Sequence, residues 1–307
     1  MPSLSPRARA TAQALLVTFL WATSWVLIKF GLQSPDGASL PPLTFAGLRY
    51  GLAWLCLLPL ALRPGARAAL RALPAAGWGR LAALGVLFYA LTQGGQFVAL
   101  KYLPAITLNL LLNFSSILVA VLGVALLAER PTRLQWLGMA LALVGALVFF
   151  YPLQPAAPGQ AIGYAAAGVA LLANAAAAVL GRRVNQAGAL SPLLVTTISM
   201  GIGAALLLVT ALALQGLPRL AAWQWAIVAW LAVVNTAFAF TLWNHTLRTL
   251  TALESSILNG LLIVQIPILA WLFLGETLTP IKVGALAGVG LGALAVQLRR
   301  LPARPGK

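Results

Sequence analysis

The side chains able to do chemistry in this 307-residue chain are few, and most lie in apolar surroundings. Lys29 and Arg49 are the two cations inside long apolar stretches. Tyr89, Gln93 and Gln96 recur at i, i+4 and i+7, as do Asn109, Asn113 and Ser116, so each set shares one helix face. Amides and a phenol can hydrogen-bond a polar solute, and a buried cation can attract a carboxylate. The same amides can serve as contacts between helices, worth about 0.6–2 kcal/mol each. Lys29 and Arg49 can likewise snorkel toward headgroups, so both readings stay open. Trp21, Ser24 and Asn174 are further candidates for a lining. His245, Arg248 and Glu254 cluster at a short turn, as solvated charges or as a gate in which Glu254 pairs with Arg248.

The inventory disfavours most catalytic chemistries. The four carboxylates are Asp36, Glu129, Glu254 and Glu276, so paired-aspartate chemistry has no pair of aspartates to use. One His and one Cys cannot build a His/Cys metal site, and no G-x-x-x-x-G-K-[ST] phosphate loop occurs. Cys56 is alone, so no intrachain disulfide can form. No metal, cofactor or enzyme activity is expected.

These side chains must be positioned by membrane-spanning helices. The chain is 61% hydrophobic and 8% charged, against about 45–50% and about 25% in soluble domains. At about 20 apolar residues per crossing, and roughly 30 with a loop, it has room for about ten spans. They are placed at 12–31, 41–62, 78–100, 105–128, 133–150, 161–181, 191–214, 222–245, 252–274 and 280–298. The first stretch exceeds a signal-peptide h-region and is expected to stay as a span. The formal charge of +16 belongs to loops and tails. With the N-terminus inside, 15 Arg and Lys fall on the inner side and 3 on the outer, as the positive-inside rule requires. Both termini are therefore expected in the cytoplasm, the span count even, the partner a lipid bilayer and not nucleic acid.

Residues 76–146 and 223–293 repeat at a constant offset of 147. Trp78 falls on Trp225, Leu103-Pro104-Ala105 on Leu250-Thr251-Ala252, Glu129 on Glu276 and Thr132 on Thr279. Two halves of five spans follow, 1–150 and 151–307. Five is odd, so the second half enters the membrane inverted, an arrangement typical of transporters with a site between the halves. The mates of Tyr89, Gln93 and Gln96 are Thr236, Phe240 and Trp243; those of Asn109 and Asn113 are Ser256 and Gly260, with Asn259 adjacent. Amides would thus face aromatic surface, a pocket suited to an amphipathic solute. Trp243 can equally be an interfacial anchor. Pro267 is a candidate kink, and the Gly284, Gly288, Gly292 ladder matches Gly138, Ala142, Gly145 as close-packing faces. Packing within one chain is expected, with a monomer as the working unit.

Trp21-Ala22 followed by Lys29, Phe45 with Arg49, the Leu-Pro-Ala start of the fourth span, Ala128-Glu129-Arg130 and Gly275-Glu276-Thr277 together resemble the drug/metabolite transporter superfamily, in its EamA-type branch. The sixth span departs from it, with Ala173-Asn174 where a Trp is expected. The resemblance implies an all-α protein of ten spans in a bacterial inner membrane, exporting small metabolites, with amino acids first and drug-like cations as the alternative. No carboxylate lies at mid-membrane by this reading, so proton coupling has no obvious carrier.

Overall fold

The computed structural model describes residues 5–33, 39–119, 121, 132–151, 157–216, 218–250 and 252–297. Glu129, Asp36 and the end of the fourth expected span lie outside these residues. The described chain is helical. In order, the helices are α1 (Pro6–Leu32), α2 (Pro42–Ala61), α3 (Pro64–Arg71), α4 (Ala75–Tyr102), α5 (Ala105–Asn113, resuming after Phe114), α6 (Arg133–Phe150), α7 (Gln160–Gln186), α8 (Pro192–Gln215), α9 (Ala222–Thr246), α10 (Ala252–Gly260), α11 (Leu262–Leu274) and α12 (Pro280–Gln297). Among the described residues, eight stretches are long and apolar enough to cross a membrane; Ala105–Val119 and Pro280–Val296 are shorter apolar helices.

Helix starts follow local chemistry. Pro6, Pro42, Pro64 and Pro192 occupy first turns, where a missing N–H costs nothing. Ser5 and Ser191 accept from the backbone N–H of Ala8 and Leu194, and Thr132 forms a capping box with Gln135. Gly275 ends α11 at φ 65°, a left-handed position that glycine takes without strain. The outward surface is apolar: Leu137 and Leu147 on α6 are 68% and 65% exposed, as suits contact with lipid tails.

Two close-packed helix pairs organise the bundle. In the first, α6 meets α12. A Cβ on Gly138 would lie 2.6 Å from the Gly292 carbonyl, and one on Gly145 would lie 2.8 Å from the Ala285 carbonyl. Glycine lets the backbones touch. In the second, α2 meets α8, where Gly201 lies against the Trp54 indole and Gly47 against Leu208. In both pairs rising numbers on one helix meet falling numbers on the other, so each pair runs antiparallel.

The irregular turns also come in pairs. Within α4 the backbone is π-helical over Gly85–Gln93, and within α9 over Val233–Phe238. Subtracting 147 places the second inside the first. The helix containing Asn109 breaks at Phe114, and the ninth expected span breaks at Leu261, again 147 apart. Both breaks tighten alike: Phe114 N–H bonds Leu111 O at 3.1 Å, and Leu261 N–H bonds Leu258 O at 3.2 Å. Pro267, the candidate kink, lies inside α11, beyond the break at Leu261.

Candidate functional site

The interior site grows from the two π-helical segments. A π turn is wider than an α turn, so a threonine can reach the carbonyl five residues back. Thr92 does so to Leu87 and Thr236 to Leu231, each at 2.8 Å. Having donated its own proton, the Thr236 hydroxyl oxygen accepts from Arg49 Nε at 3.0 Å. Arg49 is only 4% exposed. Its guanidinium stands 5.1 Å from the Tyr50 ring centre and 5.9 Å from that of Phe97, within cation–π range. Arg49, an outer-mouth candidate in the sequence, here turns inward onto the middle of α9. The ion pair found among the described residues is Arg7–Glu254, so Arg49 faces aromatic rings and a hydroxyl instead of a carboxylate. A buried cation so arranged can take an anionic group.

Tyr50 extends the site. Its hydroxyl donates to Gln93 Oε1 at 2.8 Å, and its ring meets Tyr89 at 5.4 Å. Tyr89 and Gln96 are buried and Gln93 is half-buried. Asn109 is buried and donates to the Leu262 carbonyl at 3.4 Å, beside the break between α10 and α11. Asn113 donates back to Asn109 O at 2.8 Å, and Ser116 to Asn113 O at 3.0 Å. Gln93 thus points to α2, while Asn109 points to α11.

A second aromatic group lies along α1. Trp21 packs on Phe240 at 5.5 Å and on Trp243 at 5.2 Å, which joins the sequence candidates from the two halves. Trp243 is half-buried against a small core of Ala10, Ala14 and Leu250, so it packs inside the bundle. Asn235, absent from the sequence candidates, donates to Thr23 Oγ1 at 3.1 Å and to the Leu20 carbonyl. Gln265, also missed, donates to Thr18 Oγ1 at 3.4 Å. These amides tie α1 to α9 and α11. Asn174 is half-buried on α7 and Asn259 is exposed on α10; the Ser256 side chain lies outside the described set.

The ends of the bundle are held by charge. Glu276 accepts from Ala105 N–H at 2.6 Å and Ile106 N–H at 2.9 Å, capping α5 from the end of α11. A carboxylate at a helix N-terminus satisfies orphan donors and the helix dipole together. Lys29 is 5% exposed with Glu276 in electrostatic reach, so it is buried and not snorkelled. At the opposite end Glu254 pairs with Arg7 Nε at 2.8 Å, while Arg248, its candidate gate partner, is exposed.

The sequence pattern of the EamA-like transporter family matches residues 9–151 and again 161–298. The chain belongs to the EamA-like transporter family. It is a multi-pass membrane protein of that family, and the match carries it to transport and away from an enzyme. A "Probable amino-acid metabolite efflux pump" of Salmonella typhimurium is 33% identical over 141 residues, 44% of this chain and 40% of that one. An "Uncharacterized transporter YyaM" of Bacillus subtilis is 26% identical over 207 residues, 65% of this chain and 66% of that one. The matched stretches thus cover less than two thirds of either relative. A solved structure described as "Crystal structure of protein" has a TM-score of 0.64 at 20% identity, covering 94% of this chain and 98% of that one, a likeness of fold. For this EamA-like protein, Arg49 and its rings bring a buried cation to both π segments' helices.

Proposed function

We propose that the protein is an amino-acid exporter of the bacterial inner membrane, built as ten spans in two inverted halves, 1–150 and 151–307. One observation carries the inverted reading. Gly138 touches Gly292 while Gly145 touches Ala285, and 138 and 285, like 145 and 292, differ by 147. Reciprocal contact of this kind is what a two-fold axis produces. Because α6 and α12 run antiparallel, that axis lies across the helices, in the membrane plane. The paired π segments and paired breaks support it. Transport then proceeds by alternating access, the halves exchanging conformations around a central site. Both termini are cytoplasmic in this reading, and a monomer is the working unit.

The substrate's carboxylate goes to Arg49, between Tyr50, Phe97 and Thr236. Its side chain packs on the aromatic group of Trp21, Phe240 and Trp243, with Gln93, Asn109 and Asn113 as hydrogen-bonding groups. Buried Arg49 disfavours drug-like cations, and the amino-acid efflux named for the Salmonella relative supports the substrate class. Counterflow in proteoliposomes loaded with amino acids, sugars or cationic drugs tests it. Exchange of amino acids alone is expected, without strict need for a pH gradient. Exchange of cations alone, or strict dependence on that gradient, overturns the reading.

A further inference from the structure

A second, smaller core lies away from the interior site. The apolar side of α3 (Ala66, Ala69, Leu70), with Leu73 beyond it, packs with the start of α4, the end of α7 and the start of α8. Between α4 and α7 this core leaves an apolar cleft lined by Leu73, Leu81, Val184 and Leu190, with Arg80 on its rim. The surface above it is cationic. Arg67 and Arg71 are spaced i, i+4 on α3, and Arg63 is its N-cap, so the three run as a stripe along this short helix. Arg80, Arg182 and Arg183 complete the set, and all six are exposed. No Asp or Glu occurs in residues 61–80 or 180–191. None of the six forms an ion pair or side-chain hydrogen bond among the described residues.

That stripe works against the helix that bears it. Like charges at i, i+4 destabilise an isolated helix. Solubility needs no such alignment in a membrane protein, and topology needs only that the charges lie on one side. An apolar cleft between spans with guanidinium groups at its mouth matches the two ends of one kind of molecule. An acyl chain can lie along the apolar wall at the cleft, and the phosphate takes the charge-assisted donors.

We propose that α3 and the adjoining ends of α4 and α7 form a binding site for an anionic phospholipid. Its phosphate sits on the Arg63, Arg67, Arg71 stripe and Arg80, and one acyl chain lies against Leu73, Leu81 and Val184. The site is independent of which solute the protein exports. Native mass spectrometry of the detergent-solubilised protein, titrated with phosphatidylglycerol or phosphatidylethanolamine, tests it. Phosphatidylglycerol adducts are expected to persist at activation energies that strip phosphatidylethanolamine. A basic residue near an anionic surface contributes about fivefold, so Arg63→Gln/Arg67→Gln/Arg71→Gln should weaken phosphatidylglycerol binding about 100-fold. Arg→Lys at the same three positions should largely keep it, and this second variant decides the matter if the first fails to fold. Removal of three other cations, Lys101→Gln/Arg219→Gln/Lys282→Gln, should leave it unchanged. Equal loss in that control, or displacement of the lipid by millimolar inorganic phosphate, overturns the proposal.

Discussion

Thr236→Val isolates the bond that joins the two halves at the interior site. Valine keeps the shape of threonine and removes the hydroxyl, so the buried Arg49 Nε loses its acceptor at 3.0 Å. A hydrogen bond to a charged group is worth about 1.5–3 kcal/mol when one partner is deleted and the other stays buried. Arg49 is 4% exposed, so water cannot replace the lost oxygen without a rearrangement. The Leu231 carbonyl also loses its 2.8 Å partner inside the π segment, which adds to the cost. At about 2–4 °C per kcal/mol, the expected fall in Tm is roughly 3–12 °C. Thr236→Ser keeps both bonds and is expected to stay within about 2 °C of wild type, the scale of 1 kcal/mol. Thermal unfolding in detergent, followed by tryptophan fluorescence, reads both variants. A Thr236→Val protein as stable as wild type, or a Thr236→Ser protein as damaged as Val, would refute the assigned role of the hydroxyl.

Three further outcomes follow from the geometry. Gly292→Val puts a Cβ 2.4 Å from the Gly138 carbonyl and should lower stability by about 1–3 kcal/mol, whereas Gly168→Ala meets nothing within 4 Å and should stabilise by about 0.5–1 kcal/mol; size-exclusion profiles and Tm of the pair check this. Glu276→Gln weakens the cap on Ala105 and Ile106 and leaves Lys29 without its nearby anion, with an expected loss of about 1–2 kcal/mol in thermal unfolding; an unchanged Tm would contradict the capping role. Gln93→Ala and Asn113→Ala should impair counterflow while folded yield stays near wild type; if both transport normally, these amides are contacts between helices and nothing more.

The parts legible in the sequence were those set by bulk composition and by register. Apolar length gave the helices, and the 147-residue offset is the one that relates Phe114 to Leu261 and Gly138 to Ala285. Trp21, Phe240 and Trp243 were candidates from three separate stretches, and the fold brings them together. What stayed hidden was whatever depended on direction. Tyr89 to Gln93 was read at α-helical spacing, yet that segment is π-helical and aims Gln93 at Tyr50 on α2. Lys29 was open to snorkelling because nothing in its own span reveals that Glu276, 247 positions later, lies in reach. Glu276 itself was a motif letter until its two backbone partners on α5 gave it work. Asn235 and Gln265 stood outside the two polar stripes, since each is matched to a threonine of α1 and not to a neighbour in its own helix.

Trp54 lies against Gly201, its own counterpart at an offset of 147. On the proposed two-fold axis these two positions must face each other. A symmetric dimer of one half would set the same residue on both sides there, Trp against Trp or Gly against Gly. The first collides and the second leaves a hole of indole size. Joining both halves in one chain lets a large residue lie on a small one across the axis. Each half is thereby committed to its unlike partner, and neither can be exchanged for a second copy of itself.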